Sequence, residues 1–243
     1  MIDTTKRSFV KAFSWRLLAV VLLAAVTFIT TSDWETVGYV TLTYHLIQVF
    51  MYFFHERVWS NIGWGRSSGL FVQMTGMSGA GKTTLARLVA ERLKGEGYQV
   101  ELIDGDEYRA GLCSDLGFSK EDRNTNIRRL GFVSKVLARN NVISIISAIN
   151  PYDSVRKELD NLSSNVKTVY VKCDLETLKE RDTKGLYRKA LLPDGHPEKI
   201  HNFTGISDPF EEPLDPDLLI ETNREGIERS AKRLERFIRR SVG

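Results

Sequence analysis

The chain has 243 residues, which is enough for one large domain or two small ones. Its formal net charge of +3 does not indicate strong nonspecific binding to nucleic acid, so nucleic acid is not an expected partner. The two cysteines, Cys113 and Cys173, lie far apart and match no metal-binding spacing, which is typical of reduced and buried thiols.

The first part of the chain is more apolar than the rest. No charged residue occurs from Leu17 to Ser32 or from Thr36 to Phe54. A membrane-spanning helix needs about 20 apolar residues, and the first stretch reaches this length if residues 12–15 continue it and Arg16 snorkels outward. The sequence therefore predicts a two-helix transmembrane hairpin within residues 12–54. A cleaved signal peptide and two buried helices of a soluble protein are the alternatives.

Basic residues flank this hairpin on one side only. They are Lys6, Arg7, Lys11 and Arg16 before the first span, and Arg57 and Arg66 after the second. The connecting loop carries only acids, so the positive-inside rule places both ends in the cytoplasm. We therefore expect a multi-pass protein of the inner (cytoplasmic) membrane. His45 and Gln48 favour hydrogen bonding between helices, with a polar site in the membrane as the alternative.

A phosphate-binding loop follows a short linker, Ser60 to Ser68. The segment Gly76-Met77-Ser78-Gly79-Ala80-Gly81-Lys82-Thr83-Thr84 fits the pattern G-x-x-x-x-G-K-[ST] and lies between an apolar run, Leu70–Met74, and a helical pattern, Leu85–Ala90. In this context backbone N–H groups surround phosphate oxygens, Lys82 reaches the β- and γ-phosphates, and Thr83 ligates Mg²⁺. An ordinary Gly-rich turn is the alternative, but the context favours binding of a nucleoside triphosphate.

Apolar runs alternate with helical patterns in the rest of the chain. Strands are predicted at Val100–Ile103, Val142–Ile146, Val166–Val171 and Leu218–Ile220, and helices at Lys120–Arg139 with Ser119 as its cap, from Pro151 onward, and at Ile227–Ile238. This alternation predicts an α/β fold, a P-loop kinase-type parallel sheet with helices on both faces. Ligands of such sheets bind at the carboxyl ends of the strands.

Polar clusters follow these strands. Asp104 and Asp106 suit the organisation of Mg²⁺ and the acceptance of a proton from an attacking hydroxyl, with a plain Asp-Gly turn as the alternative. Arg123 and Asn126 share a helix face and suit an anionic ligand. The basic segment Arg181–Lys189 predicts a mobile lid over phosphates, or else an exposed loop. These residues together indicate a small-molecule phosphotransferase without naming its acceptor.

The ordered set of motifs resembles the adenylyl-sulfate kinase family. The matching segments are Gly76–Thr84, Ile103–Asp106, Asp115–Ser119, Asp122-Arg123, Asn126–Arg129, Lys184–Tyr187 and Phe203–Ile206. The resemblance implies transfer of the γ-phosphoryl of ATP to the ribose 3′-hydroxyl of adenosine 5′-phosphosulfate, with Mg²⁺ as cofactor. Separately, Arg7–Arg16 with His55–Trp59 and Trp64-Gly65 resembles small two-span bacterial membrane modules. We therefore expect an anchor in residues 1–66 and a kinase domain in residues 67–243.

The resemblance also implies roles for single residues. Asp106 matches the Asp near Mg²⁺ that is proposed as the catalytic base, with Asp104 and Lys82 beside it. The substrate-binding set consists of Arg109, Arg123 and Asn126 for the phosphosulfate and ribose, Phe118 and Phe203 as an aromatic pair around the adenine, and Lys184 in the lid. Family members are often dimeric, so a second copy is a candidate partner, as is a sulfate adenylyltransferase.

Two features depart from the family pattern. Asn150 stands where the family commonly has Ser before Pro, so a phosphoenzyme route through that Ser is excluded and direct in-line transfer is expected. The stretch Leu191–Glu198 makes the lid region longer than usual, which bears on the acceptor. A related kinase for another nucleotide with a small anionic group, and a membrane-anchored ATP-binding regulator without turnover, are the alternative functions.

Overall fold

The computed structural model describes residues 5–61, 69–163, 165–182 and 184–242. The chain divides into two compact units, residues 1–66 and residues 67–243. The predicted linker, Ser60 to Ser68, lies mostly outside the described residues, as does Arg66.

The first unit is a helical hairpin. Its two helices are α1 (Thr5–Thr31) and α2 (Trp34–Asn61). They are joined at Asp33, whose carboxylate accepts hydrogen bonds from the backbone N–H groups of Glu35 and Thr36, both at 3.1 Å, and so caps α2. Within the described residues, Trp34–Phe54 is the one stretch long and apolar enough to cross a membrane, while the apolar part of α1, Ala19–Thr31, is shorter.

Polar side chains occur on the facing sides of this hairpin. Arg16 Nη1 donates to Gln48 Oε1 at 2.9 Å, so Gln48 makes the predicted bond between helices and Arg16 turns toward α2. Both ring nitrogens of His45 are enclosed, and none of the described residues offers them a hydrogen-bond partner.

The second unit is an α/β fold. Its elements in chain order are β1 (Leu70–Thr75), α3 (Lys82–Gly95), β2 (Val100–Asp104), α4 (Gly105–Ala110), α5 (Lys120–Arg139), β3 (Ile143–Ser147), α6 (Asp153–Asp160), β4 (Val166–Lys172), α7 (Leu175–Arg181), α8 (Leu186–Ala190), β5 (Leu218–Glu221) and α9 (Ile227–Val242). The strands form one parallel sheet in the order β2-β3-β1-β4-β5. The predicted parallel sheet is confirmed.

Helices cover both faces of this sheet. All six residues of β1 are buried, and alternate residues enter different cores because strand side chains point to opposite faces. Leu70, Val72 and Met74 pack with α3 and α9, whereas Phe71 packs with α5 and α6. The strand is therefore buried throughout, its polar residues Gln73 and Thr75 included, as expected for a central strand of a parallel sheet covered on both faces.

Apart from shifts at the ends of several strands and of α9, the structure differs from the predicted elements at the start of α6 and in the lid. Helix α6 begins at Asp153, with Tyr152 as its N-cap, two residues after the predicted start at Pro151. Asn150 has a positive φ of 44°, so the chain turns before the helix can begin. The predicted lid loop contains the end of α7 and all of α8 except its last residue, Ala190. Tyr187 of α8 is buried, and its hydroxyl donates to Ser78 O at 2.8 Å.

Candidate active site

The backbone of the phosphate loop is hydrogen-bonded to the loop's own lysine side chain. Gly81 is the N-cap of α3 with φ 95°, a left-handed conformation that strains any residue with a Cβ. Lys82 begins α3 and its Nζ donates to the carbonyl oxygens of Gly76 and Met77 at 2.8 and 2.9 Å. Burial lowers the pKa of Lys82 to about 8, and the nearby carboxylate of Asp106 opposes that shift. The ammonium group therefore lies inside the loop, where a bound phosphate would stabilise its charged form.

Three strand ends meet beside this loop. Thr83 Oγ1 and Ser147 Oγ, at the end of β3, lie 2.9 Å apart. Asp104 ends β2 and caps α4 by accepting a hydrogen bond from Asp106 N at 2.9 Å. The Asp-Gly turn weighed as the plain alternative is thus present, and it directs the first turn of α4 toward the loop. Asp104 therefore has a structural role, because it holds the backbone of Asp106 in place.

Asp106 is brought together with the predicted lid residue. Its Oδ2 accepts a hydrogen bond from Lys184 Nζ at 2.5 Å, although the two residues are 78 positions apart. Both side chains are largely exposed, so solvent screens this ion pair. The ion pair is therefore weak, and contacts of Lys184 and Asp106 to a substrate can replace it.

The groups around Thr83 and Asp106 suit a magnesium ion. Hydroxyl and carboxylate oxygens are the hard ligands that Mg²⁺ prefers, and it usually takes one or two carboxylates while phosphates and waters complete its shell. The described residues hold no cluster of three or more His, Cys, Asp or Glu suited to a metal. The site fits a cation that arrives with a nucleotide.

An aromatic platform lies between α4 and α5. The Arg109 guanidinium stacks on the ring of Phe118 at 4.7 Å, and its Nη1 donates to Gly117 O at 2.6 Å. Phe118 is 62% exposed, which is unusual for so large an apolar side chain. One face of the ring is thus held by a cation and a planar ligand can stack on the other.

Arg123 joins two distant segments of the chain. Its Nε donates to Phe118 O at 3.0 Å, its Nη1 to Thr204 Oγ1 at 2.5 Å, and its Nη2 to Asn202 O. The predicted anion-binding group is thus used within the protein, where it links the segments that carry Phe118 and Phe203. It must exchange some of these bonds to bind an anion.

The last two predicted substrate residues lie deeper. Asn126 is buried and no described residue bonds its Oδ1. Phe203 is only 7% exposed and meets the edge of Tyr187 with ring centroids 4.9 Å apart. Among the described residues, the ring of Phe203 contacts Tyr187 and that of Phe118 contacts Arg109, and the two phenylalanine rings make no direct contact.

A further cleft was missed by the sequence reasoning. It has a volume of about 320 Å³ and lies behind the phosphate loop, lined among others by Gly81, Thr84, Arg181, Thr222 and Ile227. Arg181 Nη2 donates to Thr222 O at 2.9 Å, and Thr222 Oγ1 donates to Ala80 O at 2.9 Å. The sequence could have indicated this cleft, because the segment after the predicted strand β5 leaves the sheet at the same carboxyl edge as the phosphate loop.

Comparison with known proteins agrees with this geometry. The family model for adenylylsulphate kinase matches residues 68–221. The chain belongs to this family. A curated adenylyl-sulfate kinase of Chloroflexus aurantiacus is 51% identical over 156 residues, covering 64% of this chain and 81% of that protein. Another, of Halothermothrix orenii, is 46% identical over 170 residues, covering 70% and 89%.

A solved structure carries the same fold. An APS kinase of Mycobacterium tuberculosis, in complex with AMPPNP and APS, is 34% identical, with a TM-score of 0.66, and the match covers 71% of this chain and 99% of that one. The first unit matches a second family model, described as Predicted membrane protein (DUF2061), over residues 9–60. The chain therefore joins a kinase of the adenylylsulphate kinase family to a membrane-protein module.

Proposed function

We propose that the chain is a membrane-tethered adenylyl-sulfate kinase, which transfers the γ-phosphoryl of ATP to the ribose 3′-hydroxyl of adenosine 5′-phosphosulfate. The observation that carries this proposal is the meeting of the phosphate loop, Asp106 and the Arg109–Phe118 platform at one edge of the sheet. The relatives named as adenylyl-sulfate kinases and the complex with AMPPNP and APS support the same donor and acceptor.

The donor occupies the phosphate loop and the cleft behind it. The loop N–H groups and Lys82 bind the β- and γ-phosphates, and the macrodipole of α3 adds positive potential at the same place. The cleft beside Arg181 and Thr222 has room for the adenine, since its volume is about 320 Å³. Thr83 and Asp106 would hold Mg²⁺, which would neutralise charge on the phosphates when bound.

The acceptor occupies the opposite side of the loop. Its adenine stacks between Phe118 and Phe203, and Arg109, Arg123, Asn126 and Lys184 bind the phosphosulfate and ribose. The Asp106 carboxylate takes the proton of the 3′-hydroxyl as that oxygen forms a bond to the γ-phosphorus. The bond from the γ-phosphorus to the bridging oxygen breaks, and its electron pair leaves with ADP. No phosphoenzyme forms, because Asn150 offers no hydroxyl.

One assay tests donor and acceptor together. The full chain, purified in detergent, is incubated with ATP, Mg²⁺ and adenosine 5′-phosphosulfate, and ADP and the 3′-phosphorylated product are quantified by chromatography. We expect equal amounts of the two products, and none with Lys82→Ala. ADP formed only with a different nucleotide acceptor would instead indicate the related kinase. ATP binding without turnover on any acceptor would indicate a regulator.

We further infer that the first unit anchors the enzyme in the inner membrane. The match of residues 9–60 to a predicted membrane protein and the apolar stretch Trp34–Phe54 support an anchor in residues 1–66, with the kinase domain, residues 67–243, in the cytoplasm. We expect the full chain in the membrane fraction and residues 67–243 alone in the soluble fraction. A reporter fused at the C-terminus should be active only in the cytoplasm, and activity on the outer side would reverse the topology. A second copy of the chain and a sulfate adenylyltransferase remain the proposed protein partners.

A further inference from the structure

The chain turns sharply between β3 and α6, at Asn150. This residue has φ 44°, in the left-handed region that is unfavourable for most residues with a Cβ. Among the described residues other than glycine, Ser32 and Asn141 are the only others with φ above 20°, and both of those are exposed. Asn150 is only 2% exposed. A strained conformation inside the protein persists only where the surroundings hold it firmly.

The backbone of this turn holds the start of the phosphate loop. The Ile149 carbonyl oxygen accepts hydrogen bonds from Gly76 N at 3.1 Å and from Thr75 Oγ1 at 3.0 Å. The Asn150 carbonyl oxygen accepts from the same Thr75 hydroxyl at 2.9 Å. The last residue of β1 and the first glycine of the loop are therefore both tied to residues 149 and 150.

Side chains fix the turn from the other side. Asn150 Nδ2 donates to Gln73 Oε1 at 2.9 Å, and the Gln73 amide nitrogen donates to Asp160 Oδ1 at 2.6 Å. Arg156, which is only 2% exposed, donates from Nη1 to Asn150 O at 2.9 Å and from Nη2 to Glu211 O at 2.7 Å. The turn is thus part of a buried polar network that loses several bonds if one member shifts.

Gly76 has no room to adapt to a shift of this turn. A Cβ at Gly76 would lie 2.3 Å from the Val171 carbonyl oxygen of β4, so the backbone is packed closely between β3 and β4. Its own carbonyl oxygen accepts the hydrogen bond from Lys82 Nζ at 2.8 Å. If residues 149 and 150 shift, Gly76 must therefore shift with them. Its carbonyl group then moves the lysine that would contact the phosphates.

We propose that Asn150 is a positioning residue for the donor triphosphate. Its left-handed backbone presents two carbonyl groups to the start of the phosphate loop, and its side-chain amide locks that backbone onto Gln73. Asn suits the position because it tolerates a left-handed φ better than other residues with a Cβ and also reaches Gln73. The inference rests on the proposed function only in taking ATP as the ligand of the loop.

Two variants of Asn150 separate its backbone role from its side-chain role. Asn150→Ala loses the amide and strains the left-handed turn, whereas Asn150→Gly loses the amide but accepts the turn. We expect Asn150→Ala to weaken ATP binding about tenfold and Asn150→Gly about threefold, with the KM for the acceptor unchanged in both. Asn141→Ala is the matched control. It strains an exposed left-handed residue away from the loop, so it should leave ATP affinity unchanged.

The measurement is calorimetric binding of a non-hydrolysable ATP analogue to the full chain in detergent, with KM values for ATP and for the acceptor. If Asn150→Ala does not fold, Thr75→Val removes the hydroxyl that bonds both carbonyl groups and should raise the KM for ATP about fivefold. Wild-type affinity in Asn150→Ala or Thr75→Val, or an equal loss in Asn150→Ala and Asn141→Ala, would overturn the inference. Absence of analogue binding by the wild type would instead overturn the proposed donor and, with it, this role.

Discussion

The donor side and the acceptor side of the site differ in how they are built. Lys82 is 7% exposed, and backbone carbonyl groups and strand ends hold the loop around it. On the acceptor side Phe118 is 62% exposed, and the exposed fractions of the Lys184 and Asp106 side chains are 61% and 79%. The donor side is preformed in the sheet, whereas the acceptor side includes exposed side chains, which we expect to close on the ligand.

This difference follows from where each side lies in the chain. The donor loop joins β1 to α3 and bonds to the neighbouring strand ends. The acceptor side combines the segment before α5 with residues 202–204, and Arg123 spans the 81 positions between them. We therefore expect variants on the two sides to affect different kinetic constants.

The largest effect is expected at Asp106, which belongs to both sides. Asp106→Asn keeps the shape of the side chain but cannot take the proton of the acceptor hydroxyl, so kcat should fall about 1000-fold. ATP binding should change little, because the loop backbone and Lys82 remain. Single-turnover kinetics with calorimetric ATP binding measures both quantities. Glu107→Gln, which removes the charge of the adjacent exposed residue, is the control. An equal fall of kcat in both variants would contradict the role of Asp106 as the base.

The next effect is expected at Arg123. Arg123→Ala removes both the anion-binding group and the link between the Phe118 and Thr204 segments, so the KM for the acceptor should rise about 50-fold. The KM for ATP should stay the same. Arg128→Ala is the matched control. Arg128 lies on the same helix as Arg123, and its substitution breaks only an exposed ion pair with Glu158 of α6. A parallel rise in both KM values would mean that the two sides do not act separately.

Strand positions and the phosphate loop could be predicted from the sequence because local pattern determines them. The predicted strand Leu70–Met74 and the observed β1 differ by one residue, since a central strand is buried on both faces and mostly apolar. The strand order and the contacts of Arg123 could not be predicted in this way. They depend on which segments the fold brings together, and no local spacing encodes a bond from Arg123 to Thr204.

Asn150 shows a further limit of sequence reasoning. The absence of a hydroxyl at this position argues against a phosphorylated intermediate there, but it says nothing of the left-handed turn. A residue before proline is usually extended, so the expectation for Asn150-Pro151 is the opposite of the observed φ of 44°. Tertiary bonds to Thr75, Gln73 and Arg156 override that local preference.

A smaller effect is expected at the aromatic platform. Phe118→Ala removes the stacking surface for the acceptor base, and the KM for the acceptor should rise about tenfold. Phe132→Ala is the matched control, because Phe132 is similarly exposed, at 67%, but lies farther along α5. Steady-state kinetics at saturating ATP gives the comparison. If Phe132→Ala raised the KM as much as Phe118→Ala did, the loss would reflect general destabilisation of the α5 region.

The smallest effect concerns pH and acts only on the donor side. Burial lowers the pKa of Lys82 to about 8, so the ammonium is present below that pH and is lost as the pH rises through it. Only the charged form attracts phosphates, and ATP gains little further charge above about pH 7. The KM for ATP should therefore rise about threefold from about pH 7.5 to about pH 8.5.

Lys82→Arg tests the cause of this pH dependence, because a guanidinium stays charged throughout the range. The variant should bind ATP more weakly, since the longer side chain fits the loop poorly, but its KM should not vary across the same pH interval. Initial rates in a buffer series at constant ionic strength supply the profiles, with the KM for the acceptor as the internal reference. A wild-type KM for ATP that stays constant through pH 8.5 would mean that Lys82 remains protonated over this range. The carboxylate of Asp106 would then outweigh the effect of burial on the pKa of Lys82.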